Sequence, residues 1–417
     1  MIHNNDHLRD DLTLYPAIMS VEENTKGEDY FIGDLHGRFD LLSLVLAKMR
    51  AEDRLFLVGD LTDRGPDSYK VIECIFFQGM KNAKPKVYTV RGNHEEVFLA
   101  FANAREYITS HYPIDTSDFR HQAAAYLKTL YHTYDIKREA LINKKNERKE
   151  AAKEFALIQE KLNEISEGYI HTNHMDDLQG VIDLSSDQMF KQANQTIIKA
   201  YETAEAVIES IKKAVFVADN ECLQAALAYE SYKEKYDIYK HARFNLLRFD
   251  NPAAFGRSAL WVDELTNDQL HTAIFAISHL PYIITSPQFN VVHADLPFSD
   301  VHLQRKITTA DFSLSDAEKN YAIWARLTES FVLIDREKVA ASGDRYTICG
   351  HTIAEGLREF SKHINLDYGA FESNCIGVLN LKRFTIEVIG DKTAVLKNGK
   401  TAESHSIDLI HRIKACQ

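Results

Sequence analysis

The chain has 417 residues, of which 45% are apolar and 26% charged, and it contains 17 glycines and only 8 prolines. This composition excludes a collagen-like, low-complexity or wholly disordered chain, and the length predicts two or three domains. Asp and Glu outnumber Lys and Arg by 61 to 49, a net charge of −12, and no block of basic residues forms a phosphate-tracking stripe. The charge distribution therefore argues against nucleic acid as the main partner.

The five cysteines are odd in number and none belongs to a CxxC pair. They argue against a disulfide framework or a cysteine zinc site, and they favour a reducing compartment such as the cytoplasm. The N-terminus lacks the apolar core of a signal peptide, and no uncharged apolar run reaches about 18 residues. We therefore expect neither a signal peptide nor a transmembrane segment.

Five short apolar runs predict strands, and each of them ends in a polar cluster that contains Asp, Asn or His. They are residues 30–32, 55–58, 87–90, 289–292 and 346–349. Amphipathic stretches at 41–49 and 69–77 separate the first three runs, which predicts β-α-β-α-β and an α/β sandwich with buried strands. Nearer the C-terminus, residues 364–366 and 377–381 and a turn at Asn398–Gly399 predict a more antiparallel pattern.

Two stretches without Gly or Pro, residues 114–167 and 181–251, are rich in helix formers and predict two long helices. In the second, apolar or small residues recur alternately four and three positions apart from Ile197 to Tyr239, the heptad pattern of a coiled coil. We expect an antiparallel helical hairpin with its tip near 168–180, started on its second arm by a capping box of Ser185 and Gln188. The predicted domains are therefore a discontinuous α/β domain, 1–104 and 251–417, and a helical insertion, 105–250.

Three of the strand ends carry sequence blocks rich in hard-metal ligands and glycine. The blocks are Gly33-Asp34-Leu35-His36-Gly37, Gly59-Asp60-Leu61-Thr62-Asp63-Arg64-Gly65 and Gly92-Asn93-His94-Glu95. His293 and His351 follow two further strands, and α/β sheets place their sites at such strand ends. Oxygen and imidazole ligands without a thiolate favour Mn or Fe over a structural zinc, although a catalytic zinc stays open.

These blocks resemble the GDxHG, GDxxDRG and GNHE signatures of the phosphoprotein phosphatase (PPP) branch of the calcineurin-like metallophosphatases. Residues 280–294, 323–326 and 364–369 look most like the bacterial and phage members. The resemblance implies a fold of two β-sheets flanked by helices, here interrupted by the helical hairpin. It also implies a dinuclear centre of two divalent cations, most often Mn, that hydrolyses phosphomonoesters on Ser, Thr or Tyr of a phosphorylated protein.

Carried over position by position, the resemblance implies three groups of site residues. One metal is held by Asp34 and His36, both metals are bridged by Asp60, and the second is held by Asn93, His293 and His351. His94, oriented by Asp63, protonates the leaving group, and Arg64 and Arg326 bind the phosphoryl oxygens. Two cations about 3.5–4 Å apart can activate a shared water for in-line attack.

The alternatives are a diadenosine-tetraphosphatase-like nucleotide hydrolase and a scaffold whose helical hairpin binds a protein partner. Asp63 and Glu95 favour the phosphoprotein phosphatase, because the tetraphosphatase relatives typically lack the Asp and end the third block in GNHD. Thr62 departs from the family pattern, and the SAPNYC loop of eukaryotic members has no counterpart between His351 and Gly369. A bacterial-type core with a spliced hairpin also resembles translocated bacterial effector phosphatases, which act in the host cytosol.

Overall fold

The structure is a computed structural model that describes residues 16–78, 85–114, 118–167, 188–249, 261–297, 299–326, 345–353 and 363–415. Its contacts divide the chain into two compact units. The sheet unit comprises Met1–Glu106 and Ile238–Gln417, and the helical unit comprises Tyr107–Asp237. Among the described residues, no helix combines the length and the apolar character that a membrane crossing requires.

Among the described residues of the sheet unit, ten strands form two five-stranded sheets. In chain order they are β1 (Ile18–Ser20), β2 (Asp29–Ile32), β3 (Arg54–Leu57), β4 (Lys86–Thr89), β5 (Ile283–Thr285), β6 (Phe289–Val292), β7 (Tyr346–Cys349), β8 (His363–Asn365), β9 (Cys375–Asn380) and β10 (Thr385–Gly390). One sheet has the order β1-β5-β6-β7-β8 and the other β10-β9-β2-β3-β4.

The helices lie between and after these strands. They are α1 (Phe39–Leu46), α2 (Ser68–Glu73), α3 (Asn93–His111), α4 (Phe119–Glu167), α5 (Gln188–Phe249), α6 (Asn267–Ser278), α7 (Asp300–Thr308), α8 (Asp316–Trp324), α9 (Ala370–Ser373) and α10 (Ala402–Ala415). The stretch predicted at 69–77 is helical throughout, although its second half is not α-helical, because α2 passes into one π-helical turn at Cys74–Gln78.

Each of the two sheets contains both parallel and antiparallel strand pairs. Strands β2, β3 and β4 pair in parallel as predicted, and β9 pairs antiparallel with both β2 and β10. The expectation of antiparallel character at 364–366 is wrong, because β8 pairs in parallel with β7. Chain reversal is supplied instead by β9 and β10 and by the bridge between Val395 and Thr401 beside the predicted Asn398–Gly399 turn.

The main core lies between the faces of the two sheets. Phe31 on β2 and Phe56 on β3 both meet the ring of Phe289 on β6, with centroids 4.8 and 5.0 Å apart. All three rings are at most 1% exposed, and burying each one contributes about 1.5–3 kcal/mol. The sandwich therefore holds the strand ends of both sheets in a fixed relation, which is what a site built from several strand-end loops requires.

The helical unit is an antiparallel pair of long helices, as predicted. Tyr134 on α4 lies beside Tyr229 on α5, and Phe155 lies beside Tyr201, so one helix ascends as the other descends. Every predicted seam position of α5 from 197 to 239 is buried or half-buried. The predicted hairpin tip, 168–180, and the capping residue Ser185 lie outside the described residues.

Candidate metal centre

Every side chain predicted for the site lies just after the carboxyl end of a strand or helix of the sheet unit. Asp34 and His36 follow β2, Asp60, Asp63 and Arg64 follow β3, Asn93 and His94 begin α3 after β4, His293 follows β6, His351 follows β7, and Arg326 follows α8. Because β2, β3 and β4 are parallel, as are β6 and β7, their carboxyl ends meet at a common edge of each sheet.

The backbone of these loops is locally strained. Five site residues have positive φ angles, which side chains other than Gly rarely adopt: His36, Asp60, Asp63, Arg64 and His351. Such conformations persist only where surrounding structure enforces them, and they cluster at functional sites. The strain turns each side chain out of its strand direction and towards the other loops.

Two glycines leave the space that the carboxylates predicted as metal ligands occupy. A Cβ on Gly92 would lie 2.2 Å from Asp60 Oδ1, and a Cβ on Gly350 would lie 2.0 Å from Asp34 Oδ1. Any side chain at either position would displace a carboxylate. The glycines of the GNHE block and of the Gly350-His351 pair are therefore required for close approach to the ligands.

One cluster of ligand atoms surrounds the carboxylate of Asp60. Its Oδ1 lies 3.4 Å from His293 Nε2, and Asn93 Oδ1 lies 2.9 Å from the same nitrogen. His351 Nδ1 lies 3.0 Å from Asn93 Oδ1 and 3.2 Å from His293 Nε2. The four residues predicted for the second metal and its bridge thus converge on one small volume.

The second cluster shares Asp60 through its other carboxylate oxygen. Asp60 Oδ2 lies 3.6 Å from His36 Nε2 and 3.7 Å from His94 Nε2. Asp34, predicted as a ligand here, accepts hydrogen bonds from the backbone N–H of His351 through both oxygens, at 3.2 Å each. Asp60 therefore faces both clusters, which is the arrangement that a bridging ligand needs.

The imidazoles are oriented by backbone carbonyls behind them. His36 Nδ1 lies 2.9 Å from the carbonyl of Thr62, and His293 Nδ1 lies 2.9 Å from that of Val58. A proton on each Nδ1 satisfies these contacts and leaves the Nε2 lone pair directed into the site, as in most metal-binding histidines. This orientation is the strongest evidence that the residues fit a pair of cations.

Burial shifts the pKa values of the predicted carboxylate ligands in the direction that a bound cation would reverse, and those of the imidazoles in the direction that a cation would reinforce. It raises the pKa of Asp34 and Asp60 well above the usual value, with further contributions from the neighbouring carboxylates of Asp367 and Glu95 respectively. It also lowers the pKa of His36 and His293 well below the usual value, and that of His351 to about 3. Bound divalent cations would favour ionised carboxylates and neutral imidazoles, the forms that ligate.

The predicted acid and its orienting carboxylate form a close pair. His94 Nδ1 lies 2.8 Å from Asp63 Oδ2, and both side chains are buried. Burial lowers the pKa of His94, and the hydrogen bond and charge of Asp63 oppose that shift. The other ring nitrogen, Nε2, points to the cluster, where a reacting oxygen would sit.

The two arginines differ in how firmly the structure holds them. The guanidinium of Arg64 stacks over the ring of Phe371 at 4.5 Å, with one nitrogen 3.1 Å from His36 Nε2 and another 3.4 Å from His94 Nε2. Arg326 is exposed, but its charge still lowers the pKa of His293 and His351. Arg64 therefore faces the ligand clusters, as a phosphate-binding role requires, whereas for Arg326 the structure gives only this electrostatic influence.

Glu95 has a structural role that the sequence analysis did not assign. Its carboxyl accepts hydrogen bonds from the backbone N–H groups of Gly92, Asp60 and Leu61 at 2.8–2.9 Å and lies 3.3 Å from the hydroxyl of Thr62. Burial raises the pKa of Glu95 to about 7. The last residue of the GNHE block thus holds the GDLTDRG loop, and Thr62, noted as a departure, takes part in the same network.

Sequence reasoning also missed Asp367 and Trp261. The buried carboxyl of Asp367 is hydrogen-bonded to that of Asp34, and burial raises its pKa. Trp261 Nε1 donates to Asp63 Oδ1 at 2.7 Å. Asp367 lies within residues 364–369, a segment that resembles the bacterial and phage phosphatases. Nothing in the sequence, by contrast, connects Trp261 with a residue 198 positions away.

The curated relatives described here match a short part of this chain. The protein named bis(5'-nucleosyl)-tetraphosphatase, symmetrical, of Actinobacillus succinogenes is 43% identical over 76 residues, 18% of this chain and 26% of that protein. Its namesake from Buchnera aphidicola is 38% identical over 74 residues, 17% of this chain and 25% of that protein. The chain thus spans about a quarter of the length of these relatives, and their names do not include a phosphoprotein phosphatase.

Two solved structures overlap much of the chain loosely. A candidate diadenosine tetraphosphatase is 14% identical with a TM-score of 0.39, covering 90% of this chain and 98% of that one. A cold-active protein-tyrosine phosphatase of a Shewanella species is 13% identical with a TM-score of 0.34, covering 93% of this chain and 82% of that one. These overlaps are too loose to carry an activity to this chain.

A family model gives the match that agrees with the geometry. Residues 30–195 match the calcineurin-like phosphoesterases, and this range contains the three loops that present Asp34, Asp60 and Asn93. The match covers less than half of the chain, and together with the paired ligand clusters and the two packed sheets described above it gives the chain a calcineurin-like metallophosphatase fold.

Proposed function

We propose that the chain is a divalent-metal-dependent phosphoesterase that hydrolyses phosphomonoesters of phosphorylated proteins. The observation that carries this proposal is the 2.8 Å contact between Asp63 and His94, beside two clusters of metal-ligand atoms that share Asp60. A positioned proton donor is most useful when the leaving group is strongly basic, as are the alkoxide of Ser or Thr and the phenolate of Tyr. The site therefore suits phosphomonoesters.

In this proposal His36, Asp34, Asp60, Asn93, His293 and His351 hold two divalent cations, Mn being the first candidate. When bound, the cations would activate a water and neutralise phosphoryl oxygens. The chain's own residues complete the reaction. The attacking water loses one proton to solvent, and its oxygen forms a bond to phosphorus as the bond from phosphorus to the leaving oxygen breaks. His94 passes its Nε2 proton to that leaving oxygen and regains a proton from solvent after the products leave.

Asp63 keeps His94 in the tautomer and orientation that this proton transfer needs. Arg64 supplies a guanidinium whose fork matches two phosphoryl oxygens, and Phe371 holds its plane in place. Arg326 would add a second guanidinium from the edge of the site. The chain offers no covalent nucleophile in this scheme, because Cys349, near His351, is fully buried and burial raises its pKa.

A dinucleoside tetraphosphatase activity is the second candidate. It is favoured by the 43% identity over 76 residues to a protein of that name. Its leaving group is a nucleoside phosphate, which is far less basic than an alkoxide and depends less on His94. Delivery into a host cell and a protein partner for the helical unit stay predictions, since neither is addressed by any described residue.

The test compares substrates under metal-loaded and metal-free conditions. We would measure phosphate release from matched phosphoserine, phosphothreonine and phosphotyrosine peptides and from diadenosine tetraphosphate, with Mn²⁺ and with chelator. Turnover of a peptide that requires Mn²⁺ is the expected result, and the preferred peptide gives the residue specificity. Turnover of the dinucleotide alone would transfer the assignment to the second candidate, and turnover of neither would contradict both.

A matched pair of variants separates this activity from a contaminant. Asp60→Asn removes the shared carboxylate and should release no phosphate. Asp316→Asn makes the same chemical change at a side chain that is 93% exposed at the start of α8, and it should behave as the unaltered protein. Equal activity of the two variants would show that the measured phosphatase is not this chain.

A further inference from the structure

We propose that Trp261 is a positioning residue for proton transfer, the third member of a hydrogen-bonded chain Trp261–Asp63–His94. The inference rests on the proposed phosphoesterase function, since it concerns the residue assigned there as the proton donor. It adds a residue from the second half of the sheet unit to a site whose other proton-transfer residues all lie between 59 and 95.

The chain of contacts uses both oxygens of one buried carboxylate. Trp261 Nε1 donates to Asp63 Oδ1 at 2.7 Å, and Asp63 Oδ2 lies 2.8 Å from His94 Nδ1. The three side chains are between 1% and 7% exposed. Water therefore has little access to either oxygen, so the two N–H groups are the donors available to satisfy them.

The indole is itself held by the helix that carries His94. Its ring stacks on Phe98 with centroids 5.0 Å apart and an interplanar angle of 22°. Phe98 lies one turn after His94 on α3, so the same rigid helix positions both Trp261 and His94. Asp63 is also fixed through its backbone, whose φ is +67° and whose N–H donates to Ser68 Oγ at 3.0 Å.

The chemical identity of the donor matters. An indole N–H can only donate, and so it cannot exchange roles with the carboxylate as a hydroxyl or a water could. With Oδ1 held by Trp261, Asp63 cannot rotate to present that oxygen to His94, and it remains an acceptor at both ends. The imidazolium form of His94 then keeps one proton on Nδ1, towards Asp63, and holds the proton that it transfers on Nε2, directed to the reacting oxygen.

The activity test uses leaving groups of different basicity. Trp261→Phe keeps an aromatic ring against Phe98 and removes the donor. We expect kcat for phenyl phosphate, whose leaving group needs protonation, to fall about 10- to 100-fold. For 4-nitrophenyl phosphate, whose leaving group is weakly basic, we expect a change within roughly threefold. A purely structural loss would lower both rates equally and reduce bound Mn²⁺, and that outcome or an unchanged rate would overturn the proposal.

A second readout does not depend on activity. The chain has only two tryptophans, and Trp324 is 42% exposed, so two indole N–H signals are expected by NMR. Trp324→Phe assigns the remaining signal to Trp261, which should exchange slowly with solvent. In Asp63→Asn that signal should shift upfield and exchange faster; an unmoved signal would show that the indole does not donate to Asp63.

The two readouts also separate this inference from the proposed function. If the unaltered chain with Mn²⁺ hydrolyses neither aryl phosphate, the proposed phosphoesterase function fails, while the NMR comparison still decides whether the Trp261–Asp63 contact exists. If both aryl phosphates are hydrolysed and Trp261→Phe shows no leaving-group dependence, the function stands and the positioning role is rejected.

Discussion

Carboxylates pair with basic side chains in both units, but under opposite conditions. In the sheet unit His94 and Asp63 meet at 2.8 Å with their side chains 1% and 6% exposed. In the helical unit Lys145 and Asp219 approach to 3.5 Å with side chains 57% and 63% exposed. Both pair a carboxylate with a basic side chain, yet only the first pair is removed from water. Electrostatic interactions are strong in such a buried place, and pKa values shift there.

This difference teaches which charges can act in chemistry. Water screens the exposed pairs of the helical unit, where the seam formed by Leu141, Val215 and Cys222 supplies the packing. In the site, burial makes each charge costly unless a partner or a cation compensates it. The predictions below test that contrast, beginning with the carboxylate that both ligand clusters share.

Asp60→Asn should have the largest effect. Asp60 is the residue whose two carboxylate oxygens face both ligand clusters, so a neutral amide should weaken binding at both. We expect loss of measurable phosphatase activity and of both cations. Metal content by mass spectrometry, together with kcat, checks this, and an active variant with two bound cations would reject the bridging assignment.

His94→Asn should lower kcat by about 10²- to 10⁴-fold, the usual contribution of a general acid. Because His94 belongs to the same cluster as His36 and Asp60, its role as donor rather than ligand needs a separate measurement. We expect unchanged Mn²⁺ binding by titration calorimetry. A loss of one cation would instead make His94 a ligand.

His405 tests burial of a titratable group outside the metal centre. It is 3% exposed, and among the described residues neither ring nitrogen has a hydrogen-bond partner. Burial, and then the charges of Lys400 and Arg412, lower its pKa from 6.5 to about 4. Between pH 6.5 and 4 the folded state therefore binds fewer protons than the unfolded one. The stability that the neutral His405 contributes is lost as pH falls through this range.

The expected loss in the free energy of unfolding is about 3 kcal/mol, because one pKa unit corresponds to about 1.4 kcal/mol. Urea unfolding of the unaltered chain and of His405→Phe at pH 7 and pH 4 would measure it, since the variant lacks the titrating group. His411→Phe, at an exposed position of the same helix, is the control. If the pH dependence of His405→Phe equals that of the control, His405 is not the group responsible.

Lys145→Met in the helical unit should have the smallest effect. The pair that it forms with Asp219 is exposed on both sides, and such pairs contribute about 0–1 kcal/mol. We expect a change in Tm of a few degrees or less, with catalytic activity unaltered. A loss of several kcal/mol would show that an exposed pair in this unit behaves like a buried one, which would end the contrast drawn above.

Much of the fold was predictable because each strand and helix carries a local pattern. The apolar runs ending in Asp, Asn or His correspond to β2, β3, β4, β6 and β7, and the four–three spacing corresponds to the buried face of α5. The parallel pairing of β8 was not predictable, since a short apolar run carries no record of which neighbour it joins or in which direction. The π-helical turn after α2 likewise left no pattern.

The chain by itself determined the residue types and their order: three blocks that place carboxylates, an amide and imidazoles at strand ends, and two stretches that can only be long helices. These are local properties, decided by spacing and side-chain chemistry within a few residues. Tertiary structure alone decided that Glu95 fastens the loop of Asp60 and that an indole from residue 261 reaches Asp63. Such contacts depend on the packing of two sheets across hundreds of residues, and the positions that meet there share no pattern along the chain.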